Sequence, residues 1–269
     1  MDAYILHITF ESGLFLKNIV DFLTSCDPNN KCCTLVICED TITVESTCSS
    51  FTENRCKFIL SLNTNSIKNF HIKYPMNINV SIGKLQIYCK SLKMKDKVVL
   101  YILDNKDDDE KIEKMLYIST LLKDNFEIKQ SLSIDILPYT AYIPEDHLEL
   151  FSKNGYEILT TEIIVLKKKI GMKEPPVLIQ IDVDNYIEFI STSCGIGPLN
   201  ILHGNKSDKC STIKISSNVI NIISKLSQIC ESIIFYTTTD NSPSLKIVCN
   251  IKNKKCEGLG EVNIFLKQS

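Results

Sequence analysis

The same order of local signals occurs twice along this 269-residue chain. Each half opens with a short β-type run, followed by a short lysine-bearing helical stretch and several short runs of alternating polarity. A second helical stretch and further β-type runs complete the half. The first helical stretch covers 13–26 in one half and 161–173 in the other, and the second covers 83–95 and 216–231. Such a pattern predicts an α+β protein of two similar domains, each made of antiparallel sheets and two short helices. The expected division is a first domain over 1–130, a connector over 131–155 and a second domain over 156–269.

The strand signals are runs rich in Ile, Val, Leu, Thr or aromatic residues between polar turns. They cover 4–11, 33–38, 41–46, 56–62 and 98–103, then 177–183, 186–191, 211–216, 233–238, 244–251 and 261–266. In Thr41-Ile42-Thr43-Val44-Glu45 the period of two predicts a strand with one wet face, and Glu39-Asp40 before it makes a hairpin turn. Apolar residues recur three and four apart over 14–23, an amphipathic helix with Ser12 as its cap and Lys17 and Asp21 on its polar side. The stretch 81–93 repeats that pattern around Gly83. Over 161–173, β-branched Ile163, Ile164 and Val165 leave two readings open, a helix or a strand with an exposed end at Lys167-Lys168-Lys169. Residues 218–227 make the fourth helix, with Lys225 on its polar side.

Pro138 and Pro144 exclude a long regular element across the centre of 131–155. That segment reads as an extended linker with an apolar stripe (Ile134, Ile136, Leu137, Tyr139, Tyr142, Ile143) and one helical turn at 147–153. The acidic run 107–110 reads as a solvated hairpin loop.

With 44% hydrophobic and 23% charged residues the chain is expected to be globular. Thirty Lys+Arg against 32 Asp+Glu give a formal charge of -2, so only local clustering can point to a nucleic acid. The start MDAYILHITF is not a secretory signal, and no apolar run approaches the roughly 20 residues of a membrane span; a soluble intracellular protein without a membrane partner is expected. The 12 cysteines include no C-x-x-C pair, so zinc is not predicted, and no signal peptide supports a disulfide framework. Cys32, Cys89, Cys230 and Cys249 lie among apolar neighbours and read as buried thiols.

Catalytic constellations are absent from the pattern. The four acids at 107–110 point in different directions around a turn, and Asp182 and Asp184 fall at a strand end. Cys194-Gly195-Ile196-Gly197-Pro198 lacks the third glycine and following helix of a dinucleotide site. No nucleotide, zinc-protease or serine-hydrolase motif occurs, and His7, His71, His147 and His203 are scattered. The reading is a non-enzyme with no metal and no cofactor.

Lysines on all four helical stretches carry more information. Lys17 lies on the first; Lys84, Lys90 and Lys93 on the second; Lys167, Lys168, Lys169 and Lys173 on the third; and Lys225 on the fourth. Holding double-stranded DNA without choosing sequence needs point charges aimed at phosphates and few base contacts. Flexible lysine stems suit that task, and Arg55 is the only arginine, which argues against base readout.

In layout the chain resembles the eukaryotic and archaeal sliding clamps, the proliferating-cell-nuclear-antigen superfamily. The likeness lies in 14–23 followed by 32–45, in 77–103, in 177–202 with Ser191-Thr192-Ser193-Cys194-Gly195-Ile196-Gly197, and in 213–266. The resemblance implies a DNA clamp fold that forms rings, as homo- or heterotrimers, with the lysines named above lining a hole for duplex DNA. It implies loading by a separate ATP-driven clamp loader and docking of replication or repair proteins beneath the connector. On this chain the docking residues would be Cys48, Phe51, Ile136, Leu137, Tyr139, Pro243 and Phe265. The implied location is the nucleus, or the replication compartment of a virus.

Replicative clamps carry a Tyr-Arg-Cys-Asp-Arg segment and strong net acidity; here Ile72-Lys73-Tyr74-Pro75-Met76-Asn77 stands instead, with near-balanced charge. The connector's usual Leu-Gly-Ile-Pro and an acidic tail are missing as well. These departures favour a diverged subunit of the DNA-damage checkpoint clamp over a replicative, possibly viral, processivity factor. A β-rich protein-interaction module without DNA binding is the alternative from another class.

Overall fold

Strand β1 (Tyr4–Phe10) leads into helix α1 (Gly13–Cys26), then strands β2 (Cys32–Ile37), β3 (Thr41–Cys48), β4 (Asn54–Asn63), β5 (Asn69–Ile72) and β6 (Met76–Ser81). Helix α2 (Ile82–Cys89) and strands β7 (Lys97–Leu103), β8 (Met115–Leu121), β9 (Glu127–Ser133) and β10 (Asp135–Leu137) follow. The series then restarts with β11 (Tyr156–Leu159), α3 (Thr160–Ile170), β12 (Val177–Asp182), β13 (Tyr186–Ser191), β14 (Leu199–Gly204) and β15 (Ser211–Ile215). It ends with α4 (Ser217–Lys225), β16 (Ser232–Thr237), β17 (Ser244–Asn253) and β18 (Cys256–Gln268). This computed structural model describes residues 3–26, 32–48, 54–104, 114–122, 126–142, 151–152, 154–170, 177–182, 186–191, 199–204, 211–238, 244–253 and 256–268.

The chain divides into two compact units. Unit 1 holds Met1–Ser46, Leu60–Ile143 and Asn253–Gly260; unit 2 holds Thr47–Ile59, Pro144–Lys252 and Glu261–Ser269. Unit 1 contains a sheet ordered β5-β1-β7-β8-β9 and a second run β10-β6-β2-β3, followed by the part of β4 from Leu60 onward. Unit 2 contains a sheet ordered β14-β13-β12-β15 and a second run β17-β16-β11, next to the part of β18 from Glu261 onward.

Apart from β5 and β10, which have no counterpart among the described strands of unit 2, the two topologies match. The strand before the first helix pairs antiparallel with the strand after the second, as β1 with β7 and β11 with β16. The strand after the first helix pairs with the one before the second, as β2 with β6 and β12 with β15. From those pairs the sheets run outward through β8 and β9 or β17 and β18, and through β3 and β4 or β13 and β14. The repeat extends to single hydrogen bonds. Gly13 N donates to Asp96 O at 2.7 Å and Thr160 N to Glu231 O at 2.9 Å, so the first residue of each leading helix is tied to the residue just before β7 or β16. These bonds satisfy amides that a helix start leaves without a partner.

Period-two burial explains the strands: Val98, Leu100 and Ile102 of β7 and Leu245, Ile247, Cys249 and Ile251 of β17 are core residues. In β3, Ile42 and Val44 are buried as expected, yet Thr43 is buried too, because its hydroxyl meets that of Ser61 at 3.5 Å. The helices bury one stripe each: Leu16, Ile19, Val20 and Phe22 of α1, Ile163, Leu166 and Ile170 of α3.

Several expectations change. The third helical stretch is a helix despite its β-branched residues, because Ile163 and Leu166 fill the core beside α4. The second stops at Cys89 and gives way to a turn in which Leu92 N donates to Cys89 O and Lys93 N to the Asp96 carboxylate at 2.7 Å. The start of the expected linker is strand: β9 continues to Ser133 and β10 pairs with β6. Cys89, Cys230 and Cys249 are buried thiols, whereas Cys32 is exposed. Residues 107–110, 192–198 and most of 147–153 lie outside the described residues; within the last range Phe151 forms an antiparallel bridge with Thr238. Among the described residues no helix is long and apolar enough to cross a membrane.

Candidate nucleic-acid interface

In unit 1, α1 and α2 pack against each other. Ser81 caps α2 through its hydroxyl, which accepts from Lys84 N at 3.5 Å. Gln86 Nε2 donates to Asp21 Oδ1 at 2.9 Å, and the Lys17 ammonium donates to Lys90 O at 2.9 Å. These two bonds run between the helices and set their alignment. Lys84, Lys90 and Lys93 are exposed, while Lys17 is half-buried. Ile87 stands between Lys84 and Lys90 and is 70% exposed, so the lysine-bearing face of α2 is not purely polar. Beneath it burial, with the Asp21 carboxylate adding, pushes the Cys89 thiol up to about 12 against the opposing pull of Lys17.

In unit 2, α3 packs on α4. Lys168 and Lys169 are exposed, and Lys167 and Lys225 are half-buried. Lys173 lies outside the described residues. Glu162 occupies the first turn of α3 and Lys167, Lys168 and Lys169 its last, the polarity that the helix dipole favours. These lysines therefore stabilise their own helix while projecting charge into solvent. Asn218, Asn221 and Lys225 form the wetter side of α4. Among the described residues no group of three metal-ligating side chains occurs.

The residues implied for docking fall in both units. In unit 1, β10 pairs with β6, setting Ile136 opposite Ile78 and Leu137 opposite Asn77. Ile136 is half-buried, whereas Leu137 and Tyr139 are exposed. In unit 2, Phe265 is half-buried against Phe151, with ring centroids 6.1 Å apart. Phe51, Pro243 and the Cys48 side chain lie outside the described residues.

Sequence reasoning missed what surrounds Phe265. Lys246, opposite Tyr236 across β16 and β17, holds its ammonium 5.7 Å from the Phe265 ring and 5.8 Å from the Tyr236 ring. Burial pulls the Lys246 pKa down, and the Glu261 carboxylate opposes the shift. Its signal was the polar position within Ser244-Leu245-Lys246-Ile247-Val248, which needed strand register to become a contact. His7 and His71, read as scattered, are directly opposite each other on β1 and β5.

No protein-family model matches the chain. No curated protein matches it. Among solved structures it is similar to that of the Proliferating Cellular Nuclear Antigen from Entamoeba histolytica, with a TM-score of 0.73 at 14% identity over 99% of each chain. The fold is therefore the antiparallel α+β clamp type, with four short α-helices among the described residues.

Proposed function

We propose that this chain is a subunit of a DNA sliding clamp, a non-enzymatic ring that encircles duplex DNA without reading sequence and tethers other proteins to it. The observation that carries this reading is the duplicated topology within a fold similar, end to end, to a proliferating cell nuclear antigen. The repeat supports ring formation in a second way. Inside unit 1, the start of β18 up to Gly260 approaches the end of β4 from Leu60 so closely that a Cβ on Gly260 would lie 2.1 Å from Ser61 O. In the repeat β18 corresponds to β9 and β4 to β14, yet β9 and β14 each end a sheet. Pairing β9 of one copy with β14 of the next would cover both edges, and a head-to-tail contact of this kind closes into a ring. Residence then comes from topology and centring from attraction between exposed lysines and phosphates.

The finer reading is a diverged checkpoint-type subunit, supported by the Ile72-Lys73-Tyr74-Pro75-Met76-Asn77 segment and the near-balanced charge. Such a subunit would act in the nucleus, be loaded by an ATP-driven loader, and pair with paralogues in a heterotrimer. Sedimentation tests the assembly: three copies of a 30.5 kDa chain give about 92 kDa. A trimer formed alone favours the replicative type, and one formed only with two other clamp-like chains favours the checkpoint type. Retention on closed circular DNA, lost when the circle is cut, tests encirclement. A protein that stays monomeric with every partner and is never retained overturns the clamp and leaves the interaction module. Charge reversal at Lys84, Lys90 and Lys168 together should weaken retention and flatten its salt dependence.

A further inference from the structure

We propose that His7 and His71 form a binding site for a borderline divalent transition-metal cation, the class of Zn2+, Ni2+ and Cu2+. The two residues are direct partners across antiparallel β1 and β5. Such partners hold their Cβ atoms about 4.5–5.5 Å apart with both side chains on one face. Two imidazoles at that spacing can bind one cation, each nitrogen at about 2.0–2.1 Å. Both residues are half-buried, so solvent reaches them while their neighbours restrict them.

The surroundings orient the His7 ring. Tyr101 faces it from β7. A register irregularity between Tyr4 and Leu6 brings Tyr4 to the same side, with its ring 5.3 Å from His7 and 5.6 Å from Tyr101. The cross-strand row His71, His7, Tyr101, Tyr117, Ser131 contains no carboxylate. Two residues beyond His71 stands Lys73, whose ammonium is held on the Asp104 carboxylate at 2.5 Å. Neutral imidazole without carboxylate favours borderline metals over Mg2+ or Ca2+, which take oxygen ligands. Two protein ligands leave the remaining positions to water. A bound cation crosslinks β5, a four-residue strand at its sheet's edge, to β1. This site does not depend on the clamp reading.

The test uses the full chain with Ni2+ as the probe, after alkylation of accessible thiols so that Cys32 does not compete. Calorimetry should find one site, weakened by about tenfold or more in His7→Gln and in His71→Gln, since each removes half of the ligand set. His147→Gln and His203→Gln should leave it unchanged. In the unsubstituted protein, amide exchange over 69–72 should slow when Ni2+ binds, a readout that needs no variant. Absence of Ni2+ uptake at millimolar concentration overturns the proposal. So does uptake that survives both substitutions, or unchanged exchange over 69–72 in the Ni2+-saturated protein.

Discussion

Lys17 on α1 donates from its ammonium to the carbonyl oxygen of Lys90, the residue that caps α2, at 2.9 Å. A helix end leaves its last carbonyls without intrahelical donors, and a cation there also suits the helix dipole. The side chain sequence reasoning aimed at DNA is thus engaged in holding two helices together. Lys17→Met should therefore lower stability by about 0.5–1.5 kcal/mol, the net worth of one hydrogen bond. Thermal melting would show a drop of a few degrees. Lys84→Met should do the reverse, leaving the melt unchanged and reducing the slope of log affinity against log salt by up to about 0.9 if it contacts one phosphate. Equal loss of DNA retention in both variants would contradict this division of labour.

Two glycines should respond oppositely to alanine. Gly260 has φ +153, and a Cβ there would sit 2.1 Å from Ser61 O and 2.9 Å from Leu62 Cα. Both obstacles are backbone, so a strand must move; Gly260→Ala should cost about 3 kcal/mol or more, at the upper end of single-substitution effects. At Gly83, inside α2, a Cβ meets nothing within 4 Å. Gly83→Ala should raise stability by roughly 0.5–1 kcal/mol through the unfolded chain's entropy. Urea titration of the two variants checks both signs.

Thiol burial sets an alkaline limit. Burial pushes the pKa of Cys33 from 9.0 up to about 12, with Cys32 adding, and that of Cys89 equally far. Each folded value lies above the unfolded one, so the protonated, buried thiol contributes stability that is complete below pH 9. That contribution drains away as pH rises from 9 towards 12, because unfolding then releases protons. The urea midpoint should hold below pH 9 and fall above it, and should fall less in Cys33→Ala and Cys89→Ala. Alkylation under native conditions should mark exposed Cys32 long before either.

Helices α1 and α4 could be read from the sequence because each keeps a one-sided apolar stripe, and so could strands such as β7, with buried Val98, Leu100 and Ile102, whereas β-branched Ile163, Ile164 and Val165 left a strand reading open at α3. Edge strands gave no such signal. In β9, Leu132 alone is buried, so Glu127-Ile128-Lys129-Gln130-Ser131 has no apolar face to alternate with. In β6, Met76, Asn77 and Ile78 are consecutive buried residues, which hides the period of two. The candidate site divides the same way. Lysines on helix faces are a local property, whereas the Lys17–Lys90 bond, the Lys246–Phe265 contact and the His7–His71 pair exist only through register between distant segments.

Edge strand β9 supplies the sharpest test of assembly. Ile128 on it is 40% exposed and Phe126, just before it, 64% exposed, in a terminal strand whose outer backbone groups have no neighbour in the sheet. An open strand edge with exposed Ile128 and Phe126 beside it can take another strand. Ile128→Glu uncovers the part of an apolar side chain that the isolated subunit covers, so it should cost the subunit only about 1–2 kcal/mol and leave it folded. In the proposed ring the same carboxylate would be desolvated without a partner, a penalty large enough to separate the copies. Sedimentation should show trimers replaced by monomers in Ile128→Glu, while Lys129→Glu, exposed on the same strand beside Glu127, should shift the equilibrium far less. Since encirclement needs a closed ring, retention on circular DNA should disappear with the trimer, even though every lysine of the four helices is still in place.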